Sequence, residues 1–243
     1  MPRLHVDLPL SADLDLDLPE DVARHVQVLR LQPGDGLTLF DGRGGEWPAT
    51  VTAMGRRDVR VQVGAARVDV DREPGVAVTL AAVMPANDRM DWLVEKATEL
   101  GVAAITPLLA ERSVLKLKGE RGDKKRAHWQ AVAVAACEQC GRNRVPDIPA
   151  AQTLPDWLAD PAAQAQATGP RLVLSLRPGG RPLSEAAAVE PGPVTFLSGP
   201  EGGLSPAEED LALRHGFLPV TLGPRVLRAE TAPLAALAAL VLG

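Results

Sequence analysis

The chain has 243 residues, 46% of them hydrophobic and 23% charged, which places it among ordinary globular proteins and excludes a disordered or fibrous one. Its 31 acidic residues outweigh 26 basic ones for a net charge of -5, and that average argues against a general nucleic-acid coat protein. Four Trp, three Phe and no Tyr exclude a binding platform of many stacked bases.

The N-terminal stretch has one early Arg and then the acidic run Asp13, Asp15, Asp17, Glu20 and Asp21, the opposite of a signal peptide's basic start and apolar centre. A solvated loop is the simplest reading of that run. Pro19 suits a first helical turn, and Val22, Val26 and Leu29 recur at helical spacing until Pro33-Gly34. Gly36 to Phe40, Glu46 to Met54 and Asp58 to Val63 read as strands joined by glycine-rich turns, which suggests a small β-barrel-like module over 1–72.

After Arg72-Glu73-Pro74-Gly75 the period changes, and a second domain is expected over 73–243. Val76 to Met84 is a nearly unbroken apolar run of strand length. Asn87 or Asp88 follows as a helix cap, and Met90, Leu93, Val94, Ala97 and Leu100 share one helical face up to Gly101. Val102 to Leu109 is a second apolar run, so the segment reads as a βαβ unit with a parallel sheet. The alternation resumes at Arg171 to Leu176, Val194 to Ser198 and Phe217 to Leu222. The helix after the second of these opens with the capping-box spacing Ser205-Pro206-Ala207-Glu208 and stops at Gly216. The longest apolar run, Ala232 to Leu242, is about half the roughly 20 residues of a membrane span.

Charge is uneven along this map. From Arg89 to Arg144 there are 11 basic and 7 acidic residues, the reverse of the flanks. Within it Arg112, Lys116, Lys118, Lys124, Lys125 and Arg126 form a cluster that suits either a solvated loop or phosphate contacts, and Arg24, His25 and Arg30 make a second basic patch.

Two loops carry the strongest chemical signal. Leu197-Ser198-Gly199-Pro200-Glu201-Gly202-Gly203-Leu204-Ser205 lies between a strand and a helix start, where open α/β sheets bind ligands, yet it has neither dinucleotide nor P-loop spacing. It suits a ligand loop or a glycine turn before a capped helix equally well. Leu222-Gly223-Pro224-Arg225-Val226-Leu227-Arg228-Ala229-Glu230-Thr231-Ala232 repeats the arrangement, with Glu230 or Thr231 placed to cap the next helix. Two such loops on one sheet suggest a shared pocket. Cys137 and Cys140 sit late in a helix and read as packing residues. No metal site is expected, because the four histidines offer no ligand spacing, and two cysteines point to a reducing cytoplasm. The loop Gly141-Arg142-Asn143-Arg144 is basic and suited to face an anion.

The paired C-terminal motifs, with Trp92-Leu-Val-Glu-Lys-Ala-Thr-Glu-Leu-Gly-Val, Glu138-Gln-Cys-Gly-Arg142 and Arg24-His25-Val26, resemble the ribosomal RNA small subunit methyltransferase E family over nearly the whole chain. The resemblance implies a SPOUT-type fold: a PUA-like barrel, then an α/β parallel-sheet domain whose C-terminal segment forms a trefoil knot. It implies S-adenosylmethionine as methyl donor, N3 of a uridine in 16S ribosomal RNA as acceptor, and a homodimer with no membrane association. Carried over by position, Leu174, Ser175, Leu176, Ser198, Gly199, Pro200, Glu201, Gly202, Gly203, Leu222, Gly223, Arg225, Val226 and Leu227 line the cofactor pocket. Arg228, Glu230 and Arg142 are the expected catalytic residues, and the two basic clusters the expected RNA contacts.

Overall fold

A computed structural model describes residues 1–67, 70, 72–86, 88–113, 119–166, 168–187 and 192–242. The chain forms two compact units, Met1–Glu73 with Val134–Val145, and Pro74–Ala133 with Pro146–Gly243.

The first unit is a five-stranded sheet in the order β1-β3-β4-β5-β2, formed by β1 (Arg3–His5), β2 (Asp15–Asp17), β3 (Gly36–Phe40), β4 (Trp47–Met54) and β5 (Val59–Val63). Every pairing is antiparallel except β1 with β3. Alternation decides the faces: Val59, Val61 and Val63 are buried while Arg60 and Gln62 point to solvent. That apolar face closes on Ala23 and Val26 of α1 (Glu20–Val28). The acidic run is more ordered than a solvated loop. Asp15–Asp17 is the edge strand β2 and Asp17 accepts from Arg60 at 2.8 Å, so the alternating acids are the outward residues of an edge that charge keeps from pairing further.

The basic loop 141–145 finds its anion inside this unit. Arg142 is buried and donates Nε (3.0 Å) and Nη2 to one oxygen of Glu73, whose other oxygen accepts from the Arg144 N–H at 3.2 Å. Arg3 donates to Asn143 Oδ1 at 2.6 Å and pairs with buried Glu46.

The second unit is a seven-stranded, wholly parallel sheet in the order β10-β12-β9-β11-β6-β7-β8. In chain order it contains β6 (Val78–Val83), α2 (Arg89–Glu99), β7 (Ala104–Leu109), α3 (Glu120–Cys140), β8 (Gln152–Thr153), α4 (Leu154–Ala159) and α5 (Pro161–Gln166). Then follow β9 (Arg171–Leu174), β10 (Arg181–Pro182), α6 (Leu183–Ala187), β11 (Val194–Ser198), α7 (Pro206–Arg214), β12 (Leu218–Thr221) and α8 (Thr231–Val241). The last turns of α3 fall in the first unit. Central strands β6 and β11 are buried almost throughout, as a parallel sheet covered on both faces requires. Gly101 ends α2 at φ 95°, where a Cβ would stand 2.3 Å from Pro74 Cγ, so only glycine fits. After β12, α8 crosses back past β9 to pack on α2, β6 and β11, the return path that a C-terminal knot needs.

Caps divide into those that formed and those that did not. Ser205 accepts from the Glu208 N–H and Glu208 accepts from the Ser205 N–H, a complete capping box. Asp88 and Glu230 occupy N-cap positions but neither side chain caps its helix; Asn87 lies outside the described residues. Ser205→Ala should cost about 1 kcal/mol and lower the melting temperature by about 2–4 °C; an unchanged melt by circular dichroism would contradict the capping role.

Candidate active site

Because the sheet is parallel, the segments leaving β9, β11 and β12 all emerge at one edge, where they surround a cavity of about 740 Å3. Leu174 to Leu176, Ser198 to Gly203, and Leu222, Gly223, Arg225, Val226 and Leu227 all line it. The size is that of a small-molecule site. Gly199 makes the middle loop possible, since a Cβ there would lie 2.7 Å from the Leu204 backbone nitrogen. Leu176 and Val226 face the cavity at 74% and 76% exposure, an apolar lining open to solvent where packing alone would have covered it.

Carboxylates hold these loops. Glu201 Oε1 accepts from the Ala86 N–H at 2.9 Å and from Arg89 Nη1 at 3.0 Å, tying the β11 loop to the segment before α2. Partial burial works against the charged form of Glu201, but hydrogen bonds from the backbone of Ala86 and of Glu201 itself, with the Arg89 charge, outweigh it and hold the carboxyl below its ordinary value. Glu208, besides its capping role, accepts from the Glu111 N–H at 2.7 Å. Buried Glu209 accepts from Ser175 Oγ at 2.5 Å, and Ser175 Oγ in turn accepts from the Arg177 N–H at 3.0 Å. Arg177 crosses to Asp210 and to the Pro206 carbonyl.

Arg228 is exposed on the cavity wall, and no carboxylate of the described residues pairs with it. Beside it Glu230 is buried, with one oxygen 3.8 Å from Arg89 Nε. Its other oxygen, Oε2, has no hydrogen-bond partner among the described residues.

The other expected residues are elsewhere. Arg142, expected to be catalytic, is not among the cavity residues; its guanidinium serves Glu73 in the first unit. Arg112, expected on RNA, lines the cavity and donates to the Gly202 carbonyl at 2.6 Å. Lys124 pairs with Glu120, Arg126 donates to the Ile148 carbonyl, and Lys125 is half-buried; Lys116 and Lys118 lie outside the described residues. Arg24 pairs with Glu20, His25 Nδ1 is 3.8 Å from Glu138, and Arg30 is exposed at φ 59°. Burial pushes the Cys137 thiol up to about 12, which suits a packing residue. Among the described residues no His, Cys, Asp and Glu side chains gather as metal ligands would, and no helix is long and apolar enough to cross a membrane. Arg89, Arg177 and Glu209 are cavity residues without a motif of their own. The position of Arg89 just after strand β6, at the same carboxyl edge as the glycine loop, was the available signal.

Comparison with known proteins agrees with this architecture. Residues 72–241 match the family described as an RNA methyltransferase domain, and residues 18–64 match the RNA methyltransferase PUA domain. The ribosomal RNA small subunit methyltransferase E of Bacillus subtilis is 32% identical over 91% of this chain and 87% of its own. The structure of the Neisseria gonorrhoeae ribosomal RNA small subunit methyltransferase E bound to S-adenosyl methionine is 37% identical, with a TM-score of 0.89 over 98% of this chain and 96% of that one. A Legionella pneumophila structure holding the same cofactor is 35% identical, with a TM-score of 0.90 and the same coverage.

The fold favours the charged form of Glu201, so its stabilising effect is complete above the ordinary value of 4.5 and is lost as the pH falls through its lower value in the folded chain. Thermal melts of wild type and Glu201→Gln should differ at neutral pH and converge in acid. A gap that does not vary with pH would contradict the ion-pair role.

Proposed function

Since the chain belongs to the ribosomal RNA small subunit methyltransferase E family, we propose that it transfers a methyl group from S-adenosylmethionine to N3 of a uridine in 16S ribosomal RNA. The observation that carries this reading is the cavity at the carboxyl edge of the parallel sheet, walled by three loops, with Arg228 on its wall unpaired among the described residues.

The lining fits the cofactor in kind. Backbone groups of Leu174 to Leu176, Ser198 to Gly203 and Leu222 to Leu227 suit its adenine and ribose, and exposed Leu176 and Val226 offer apolar faces. When bound, S-adenosylmethionine supplies a methyl group on an already electrophilic sulfonium. The chain therefore has to position the acceptor, remove its proton and stabilise the charge left behind. Uridine N3 bears a hydrogen, and its electron pair is free to attack only as that hydrogen leaves. The Glu230 carboxylate takes the proton and Arg228, on the cavity wall, donates hydrogen bonds to the negative charge that develops on O2 or O4.

The base has to leave its stack to be reached. With few aromatics, capture falls to phosphate contacts by Arg24, His25, Arg30, Lys124, Lys125 and Arg126, several of them exposed. A homodimer belongs to the same reading. Helix α8 is apolar over almost its whole length, and Leu242, the residue that follows it, is 74% exposed, an apolar end that a second copy would cover. Two unpaired cysteines agree with a cytoplasmic setting.

Purified protein incubated with labelled cofactor and unmodified small subunits should place one methyl group at uridine N3, identified by mass analysis of digested nucleosides. Arg228→Ala should reduce the single-turnover rate by about 100- to 1,000-fold. Methylation at another atom, or a normal rate for the variant, would overturn the assignment.

A further inference from the structure

A second cavity, about 330 Å3, is lined by Asp88, Arg89, Trp92 and Glu230. Arg89 lines both cavities, so the two are neighbours. Two features of this niche are unexplained by packing. Glu230 is 8% exposed, yet its Oε2 has no partner among the described residues, which leaves an acceptor removed from water without a donor. Trp92 is 44% exposed, whereas Trp47, Trp129 and Trp157 are buried. An open aromatic face beside an unfilled carboxylate acceptor is chemistry for a flat ring that carries an N–H on its edge.

We propose that this niche seats the acceptor base, with Trp92 stacking on an unstacked pyrimidine and the Glu230 carboxylate, which lines the niche, turning to accept its N3–H. The inference rests on the methyltransferase reading above and adds to it the place and the selectivity of the acceptor. Uracil presents a hydrogen at N3; cytosine presents a lone pair there, which would face the carboxylate and leave both acceptors unsatisfied. Refusal of cytosine therefore follows from the same oxygen that removes the proton. Arg89, hydrogen-bonded to Glu201 at 3.0 Å, places its charge 3.8 Å from the other oxygen of Glu230. In the transfer the N3–H bond would break with the proton passing to Glu230, its electron pair would form the bond from N3 to the methyl group, and the methyl–sulfur bond of the donor would break with its pair staying on sulfur. Stacking on a single aromatic is enough to hold one flipped base, in a chain whose other tryptophans are enclosed.

The test uses the full chain, unmodified small subunits and S-adenosylmethionine, and begins from a wild type that methylates; failure of the wild type would refute the methyltransferase reading itself. Trp92→Ala should raise the KM for subunits about tenfold or more, leave cofactor affinity by calorimetry unchanged, and be largely restored by Trp92→Phe. Glu230→Gln should bind both subunits and cofactor but lose about 100-fold or more in single-turnover rate. Subunits in which the target uridine is replaced by cytidine should go unmethylated. A normal KM for Trp92→Ala, or equal loss of cofactor affinity in both variants, would overturn the niche. Conversion of Trp92→Ala to a monomer with a normal single-turnover rate would overturn it too, by assigning that side chain to contact with a second copy.

Discussion

The cavity depends on a set of acidic side chains that accept hydrogen bonds from neighbouring loops. Glu201 receives the Ala86 N–H, Glu208 the Glu111 N–H, and Glu209 the Ser175 hydroxyl, so the ends of β6, β7 and β9 are each tied to the β11 loop or to α7. Hydrogen bonds to a charged acceptor contribute about 1.5–3 kcal/mol each, and here they act on segments that have little apolar packing of their own. A loop rich in glycine would otherwise sample many conformations. The ties give it one, and the pocket is formed before any ligand arrives.

The same constraint changes the meaning of the net charge of -5. Glu46, Glu208, Glu209 and Glu230 are all buried, and each faces an arginine, a hydroxyl or a backbone amide instead of solvent, with one oxygen of Glu230 left without a partner among the described residues. Much of the acidic excess is thus internal scaffolding and says little about the surface that meets a partner. The basic residues from Arg89 to Arg144 divide likewise: Arg89 and Arg112 serve the cavity, Arg142 serves Glu73, and Lys124 early in α3 remains outward. An average over the chain merges structural and functional charge of both signs.

Local rules made the strands and the cofactor loops legible from the residues. Gly36–Phe40 and Val194–Ser198 have the bounds that alternation and apolar run length imply, and Ser205 caps α7 as its spacing requires. The loops could be read because glycine, proline and a following helix start are adjacent in the chain. What sequence left open depends on residues far apart. Asp15–Asp17 is a strand because its backbone pairs with β5, 43 positions away at Asp17 and Arg60, and β1 exists only by pairing with β3. Arg142 resembled a free cation until Glu73, 69 positions earlier, closed on it. Glu230 carries the signal of a helix cap, yet its carboxylate turns to Arg89 across the sheet edge, and no local rule distinguishes the two.

Whether carboxylate ties preform the cofactor cavity is decided by calorimetric titration of S-adenosylmethionine into wild type and Glu201→Ala. One site per chain is expected in the wild type and a loss of about tenfold or more in affinity in the variant, with the variant still folded. Equal affinities would mean that the loop finds its bound form without the tie, and would contradict preformation.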